Sequence, residues 1–123
     1  MTPDWKQLRS LASAEIESTL EQLPKPLREQ AFQLAITFEP KPSIALQDTG
    51  IELDTLGLFT GAEFADASVE VLPPQVILFL ENIWDLAEGR ENRFQEEVRT
   101  TFLHELGHFF GLNEDDLTDR GLS

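Results

Sequence analysis

The spacing of apolar residues predicts a helix at the start of the chain. Between residues 4 and 23, apolar side chains recur every three to five positions, as in an amphipathic helix. These residues are Trp5, Leu8, Leu11, Ile16, Leu20 and Leu23. Pro24 and Pro26 follow, and prolines there end the predicted helix. One further helical turn is expected at residues 27–30.

Three later segments have the patterns of β-strands. Residues 32–38 alternate between apolar and polar side chains, which predicts a strand with one buried face. Residues 56–60 predict a second, short strand, with glycines at positions 57 and 61. Residues 75–80 begin with Gln75 and continue as an uninterrupted apolar run, which is typical of a strand covered on both faces.

The remaining segments predict a loop and two helical elements. Residues 43–54 are weakly patterned and are interpreted as a loop, whereas residues 83–86 suggest a helical turn that ends before Gly89. The last long helix is expected to start at Asn92 as its N-cap, with Gln95 completing a partial capping box. It should run to Phe110, with Gly111 as the residue after its end. The pattern as a whole predicts an α+β fold.

Composition narrows the possible functions. The chain has 123 residues, which predicts one domain over residues 1–123, and its 41% hydrophobic content is enough for a core. Its net charge of -14 predicts no binding to nucleic acid or to an anionic membrane. The N-terminus lacks the features of a signal peptide, so we expect a cytoplasmic protein. The absence of cysteine excludes disulfides, thiol catalysis and thiolate metal ligands.

The two histidines of the chain lie four residues apart in the sequence His104-Glu105-Leu-Gly-His108. On a helix, positions i and i+4 share one face, so both imidazoles can reach one metal ion. Zinc binds neutral imidazole nitrogens, and an adjacent carboxylate can act as a general base toward the water that attacks a substrate. This H-E-x-x-H pattern therefore predicts a zinc site, with Glu105 as the catalytic residue.

A helical wheel gives Glu105 an unusual position. At about 100° per residue, it falls inside the edge of the apolar arc, about 20° from the start of that arc. His104 and His108 share a neighbouring stripe with Glu97 and Thr101. A plain surface helix seldom has a carboxylate within its apolar arc, so we expect the site to lie at the margin of the core.

A third protein ligand for zinc would have to be Asp or Glu, since the chain has no further His and no Cys. In the extended pattern H-E-x-x-H-x-x-G-x-x-H/D, Gly111 takes the glycine position and Glu114 the ligand position. Asp115 is the next candidate, and Asp116 is a weaker one. A Glu from a second downstream helix is another known arrangement, but only fifteen residues follow His108. The same acidic run would also suit the start of a helix.

Two segments resemble the minimal zincins, small bacterial proteins interpreted as zinc metallopeptidases with a matrix-metalloprotease-like core. They are Leu-Gly-Leu-Phe-Thr-Gly at residues 56–61 and the helix sequence that ends in His-Glu-Leu-Gly-His-Phe-Phe-Gly-Leu. The resemblance implies a zincin-like α+β fold, with a three-stranded sheet packed on the motif helix. It implies zinc as cofactor, His104 and His108 as metal ligands, Glu105 as the base and Glu114 in the acidic ligand position.

Three function hypotheses follow. The first is a zinc-dependent peptidase that acts on a peptide or protein substrate aligned along an edge strand. The second is a non-catalytic zincin-like domain that binds metal or a protein partner, because the chain lacks Tyr and a spare His to stabilise an oxyanion. Arg99 and Arg120 are the candidates for that role. The third is an acidic partner-binding protein with a chance motif. The sequence leaves the oligomeric state open.

Overall fold

The computed structural model describes residues 3–61 and 74–111. Its elements are, in chain order, α1 (Trp5–Gln22), α2 (Lys25–Ala31), β1 (Ala35–Glu39), α3 (Ile44–Asp48), β2 (Gly57–Thr60), β3 (Gln75–Phe79), α4 (Leu80–Leu86) and α5 (Glu91–Phe109). A small sheet, an N-terminal helix and a long helix with the H-E-x-x-H sequence are all present. The predicted α+β class is therefore confirmed.

Helix α1 forms where the apolar spacing predicts it. The side chain of Asp4 caps its start by accepting a hydrogen bond of 2.8 Å from the backbone N–H of Gln7. Leu8, Ala12 and Ile16 are buried on one face, as an amphipathic helix requires. The helix ends before Pro24, the N-cap of α2, so both prolines have the positions that the sequence suggests.

The three strands form one mixed sheet in the order β1-β3-β2. Strand β3 lies in the centre, parallel to β1 and antiparallel to β2. Val76 and Leu78 of β3 are completely buried, whereas Ile77 is half-buried. The face with Val76 and Leu78 is therefore fully covered, as predicted. The opposite face is only partly covered at Ile77. Strand β2 occupies an edge of the sheet, which leaves its outer side without a neighbouring strand among the described residues.

Strand boundaries and one further element differ from the prediction. Strand β1 starts at Ala35, because the chain is still helical up to Ala31, and Phe32 is 78% exposed. Leu80 belongs to α4 instead of the strand before it. Residues 44–48 form α3 and not a loop, because the hydroxyl of Ser43 accepts a hydrogen bond from the N–H of Leu46 and caps the helix.

Helix α5 begins at Glu91, so the prediction of Asn92 as its N-cap is wrong. The cap is Arg90, which makes no side-chain capping hydrogen bond. The turn before the helix is made by Glu88 and Gly89, both with positive φ, so the chain turns helical without a capping side chain. The predicted end is correct within one residue, and Gly111 has φ of 76°, the left-handed conformation that suits a residue just after a helix.

Helix α5 connects the sheet to the other helices, since it packs against α1, α4, β2 and β3. Its core side chains are completely buried and belong to one cluster with residues of α1, α4 and β3. They are Phe94, Val98, Phe102 and Leu106. Near its end, the ring of Phe109 lies 5.9 Å from that of Phe59 in β2. The long helix is therefore held between the core and the edge strand. Within the described ranges, no helix is long and apolar enough to cross a membrane.

Candidate metal centre

His104 and His108 lie on one face of α5, one turn apart, as the spacing predicts. Their Nε2 atoms are 3.2 Å from each other, and the two rings meet nearly edge-on, with an interplanar angle of 84°. Both side chains are half-buried. The two nitrogen lone pairs can therefore converge on one point near the protein surface.

The distance between the two nitrogens suits zinc. Two imidazole nitrogens that bind one tetrahedral zinc ion at about 2.0–2.1 Å are separated by about 3.3 Å. The observed 3.2 Å agrees with this value to about 0.1 Å. Two histidine nitrogens and one carboxylate ligand form a donor set that is common in catalytic zinc sites. The sequence offers Glu114 or Asp115 as this carboxylate. The residues present thus fit a zinc ion.

Glu105 completes this group. One ligand atom from each of His104, Glu105 and His108 can be chosen so that all three atoms lie within 4.8 Å of one another. Glu105 is half-buried, in agreement with its expected position at the margin of the core. Among the described residues, no other His, Asp or Glu joins the group. The arrangement places one carboxylate directly beside the two imidazoles.

The edge strand approaches α5 very closely at Gly57. A Cβ atom added at this position would lie 2.7 Å from Cγ2 of Thr101 and 3.3 Å from Cγ of Glu105. It would also lie 3.2 Å from a methyl group of Leu78 in the neighbouring strand. Such short distances exclude a side chain at position 57 unless its neighbours move. The absence of a side chain therefore lets β2 lie directly against the residue expected to act as base.

The importance of Gly57 was not predicted. The sequence pattern alone indicates only a glycine in a short strand. A glycine within a strand can signal the close approach of another chain segment, and that signal was present. Thr101, which shares the histidine stripe on the helical wheel, is only 8% exposed because β2 covers it here.

Two cavities lie between α5 and β2, on either side of Glu105. The upstream cavity, of about 320 Å³, is lined by Leu56, Gly57, Glu97, Thr100, Thr101, His104 and Glu105. The downstream cavity, of about 420 Å³, is lined by Leu58, Phe59, Gly61, Glu105 and His108. Because Glu105 borders both, a ligand that extends along β2 would pass directly over this carboxylate.

Asn82 of α4 fixes the segment that leads into the edge strand. Its side-chain amide donates to the backbone oxygens of Leu53 and Thr55, at 2.7 and 2.9 Å. The side chain is buried, with 7% exposure. A buried amide that satisfies two carbonyl groups restrains the backbone between them. The entry into β2, and with it the position of Gly57, therefore depends on a residue of α4.

The predicted acidic ligands Glu114 and Asp115 lie outside the described residues, as do Asp116 and Arg120. Their assignment stays a prediction. Arg99, the other candidate for stabilising an oxyanion, is exposed on α5 and lines neither cavity. The structure thus brings together the two histidines and Glu105, and it does not bring Arg99 to them.

Comparison with known protein families supports the interpretation of this group. A family model described as zincin-like metallopeptidase matches residues 31–122. The matched segment contains all three strands and the whole of α5, whereas α1 lies outside it. A search of curated proteins found no match. The matched family is the one to which the H-E-x-x-H helix and the segment at residues 56–61 already point.

Proposed function

The chain belongs to the zincin-like metallopeptidase family, and from this premise we propose that it is a zinc-dependent peptidase. The observation that carries the proposal is the pair of histidine Nε2 atoms 3.2 Å apart, with the Glu105 carboxylate next to them. Strand β2 lies beside this carboxylate and is an edge strand among the described residues, so it could align an extended substrate.

His104 and His108 would hold the metal through Nε2. We propose Glu114 or Asp115 as the third protein ligand, on the basis of the spacing after Gly111. When bound, zinc polarises a peptide carbonyl and lowers the pKa of water. The half-buried setting of the two histidines leaves one side of the site accessible, as a catalytic site needs.

Glu105 would act as the proton carrier of the reaction. Its carboxylate accepts a proton from the water molecule that attacks the peptide carbonyl. The same carboxylate then delivers this proton to the nitrogen of the departing amine, so that the protonation state of Glu105 is restored. Its position between the histidines and β2 suits this role because the substrate would lie within its reach.

Strand β2 would align the substrate. An extended peptide can add to the edge of a sheet through backbone hydrogen bonds, and β2 is an edge strand among the described residues. The upstream and downstream cavities meet at Glu105. We therefore assign them to substrate side chains on the two sides of the bond that is cleaved.

A second candidate is a zincin-like domain that binds zinc and a protein partner without catalysis. One observation favours it. Of the residues that the structure describes, no Arg, Lys or Tyr lines either cavity, although peptide hydrolysis usually requires a donor that stabilises the oxyanion. In the peptidase, backbone N–H groups or Arg120 would take this role.

Metal analysis and peptide cleavage by one set of variants test the proposal. Protein purified without chelator should contain about one zinc per chain and cleave a mixture of unstructured peptides. Glu105→Gln should retain zinc and lose at least about 100-fold in rate. Glu96→Gln, which removes the same charge at an exposed position of α5, should leave the rate unchanged.

Three outcomes would each contradict a part of this proposal. Zinc binding without cleavage of any peptide by the wild type would favour the non-catalytic domain. Cleavage that survives Glu105→Gln would contradict the assigned base. Failure of His104→Ala to change zinc affinity would leave only the third hypothesis, a chance motif.

The acidic ligand can be identified by a matched pair of variants. Glu114→Gln and Asp115→Asn each remove one carboxylate while keeping nearly the same volume. The variant that removes the ligand should lower zinc affinity by at least about tenfold, whereas the other should leave it near the wild-type value. Unchanged affinity in both would move the assignment to Asp116.

A further inference from the structure

We propose that Glu97 makes the upstream cavity selective for a lysine or arginine side chain of the substrate. This inference rests on the proposed peptidase function and adds to it the chemical class of residue recognised beside the cleaved bond. It follows from the position of Glu97 relative to the histidines, from the lining of the cavity and from the charges around it.

Glu97 is on the same face of α5 as the metal-binding group. It precedes His104 by seven residues, which is close to two helical turns, or about 10.5 Å along the helix axis. An extended lysine side chain spans roughly 6 Å from Cα to its nitrogen, and an ion pair adds up to about 4 Å. These lengths are similar, and Glu97 and His104 line the same cavity, so a basic side chain that enters the cavity beside His104 would approach the Glu97 carboxylate.

The lining of the cavity suits the stem of such a side chain. Leu56 supplies an apolar wall, and the backbone of Gly57 lies beside it. Thr100 and Thr101 add the helix surface between Glu97 and the histidines. The stem of a lysine or arginine packs favourably on an apolar surface while its charged end stays in contact with polar groups.

No basic residue of the described ranges forms an ion pair with Glu97. Among the described residues, ion pairs connect Lys25 with Glu29, Lys41 with Asp85 and Arg93 with Glu88. Arg93, one turn before Glu97 on the same helix, thus contacts Glu88 at 3.5 Å. No basic residue of the described chain lines the upstream cavity.

The two charged carboxylates of the cavity differ in their position. Glu105 lies next to the histidines, at the reacting end, whereas Glu97 lies two turns away. A short acidic or neutral side chain would leave Glu97 without a partner, and an acidic one would be repelled by both. The net charge of -14 favours the approach of cationic peptides in addition.

Binding to a variant that cannot cleave tests the inference. Full-length, zinc-loaded Glu105→Gln protein is titrated with blocked hexapeptides and followed by NMR, which detects weak binding. The peptides carry lysine, norleucine or glutamate at one position, which is moved along the sequence. At one position, lysine should bind about fivefold more tightly than norleucine, and glutamate should bind more weakly than both.

The matched controls separate Glu97 from charge in general. Adding Glu97→Gln should make the affinities for the lysine and norleucine peptides nearly equal. Adding Glu96→Gln should leave the affinity for the lysine peptide about fivefold higher. Glu97→Lys should reverse the preference toward glutamate. The inference would be overturned by a lysine preference that survives Glu97→Gln, by equal binding of lysine and norleucine, or by no detectable binding of any peptide.

The same peptides distinguish this inference from the proposed function. If wild-type protein cleaves them without preference for a basic residue, only the assignment of Glu97 fails. If the Glu105→Gln protein binds the lysine peptide selectively but the wild type cleaves none of them, the peptidase proposal fails and the role of Glu97 in binding stands.

Discussion

Gly57 of the edge strand lies so close to Thr101 of the helix that no side chain fits between them. The Cβ of an alanine at position 57 would lie 2.7 Å from the Thr101 methyl group. Relief requires movement of β2, of α5 or of the Thr101 side chain, all close to Glu105. A single methyl group at this point therefore affects the fold and the site together.

Gly57→Ala should lower the free energy of unfolding by about 1–3 kcal/mol, because it overpacks a close contact. Adding Thr101→Ser removes the methyl group that the new Cβ would meet and should restore most of the loss. Urea unfolding of both single variants and the double variant measures the coupling, which should exceed about 1 kcal/mol. Additive effects would show that the two residues do not meet as described.

The two histidines should each be needed for the metal. His104→Ala or His108→Ala should weaken zinc binding by at least about 100-fold, since each removes one protein ligand. Titration against a chromophoric zinc chelator measures the affinity. Thr100→Ala, at an exposed position bordering the upstream cavity, is the control that should bind zinc like the wild type. A wild-type affinity in either histidine variant would contradict the site.

At the scale of elements, periodicity predicted most of the helices and strands. The long patterns predicted α1 and α5 with ends close to the observed ones, because many buried side chains repeat along both helices. The continuous apolar run predicted β3 to within one residue. The i to i+4 spacing likewise predicted that His104 and His108 converge, since helix geometry alone determines it.

The missed features are those that depend on contacts between elements or on local capping. Five residues are too few for a periodic pattern, so α3 was recognisable only from Ser43 as a cap. Phe32 is exposed because it directly follows α2. The alternation of apolar and polar residues over positions 32–38 predicts instead that it is buried in a strand. The closeness of β2 to α5 at Gly57 depends on the packing of two segments distant in sequence, which no local pattern contains.

Asn82 gives a test of how one element positions another. Asn82→Asp replaces the donor of two hydrogen bonds by an acceptor facing the carbonyl oxygens of Leu53 and Thr55. We expect a loss of about 1–3 kcal/mol in the free energy of unfolding, measured by urea denaturation. Glu81→Gln, one residue earlier on α4, is the control and should change stability little. Equal stability of Asn82→Asp and wild type would contradict the restraint on this segment.

At the scale of the whole molecule, metal binding should be linked to folding. The histidines converge only when α5 is formed, and α5 is held by the common core. At a free zinc concentration 100 times the dissociation constant, zinc should add about 2.7 kcal/mol to the free energy of unfolding. Thermal unfolding with zinc and with chelator measures this gain, which should vanish in His104→Ala. A gain that persists in that variant would place the stabilising zinc elsewhere.

The face of α5 opposite the histidines determines how readily the helical turn between His104 and His108 can unwind. Phe102 and Leu106 are completely buried, so the backbone between His104 and His108 cannot unwind without exposing the centre of the core. The amide hydrogens of this turn should therefore exchange with solvent only through global unfolding. Even without zinc, they should be among the slowest in the protein to take up deuterium, which would leave the two imidazoles in place before any ion arrives.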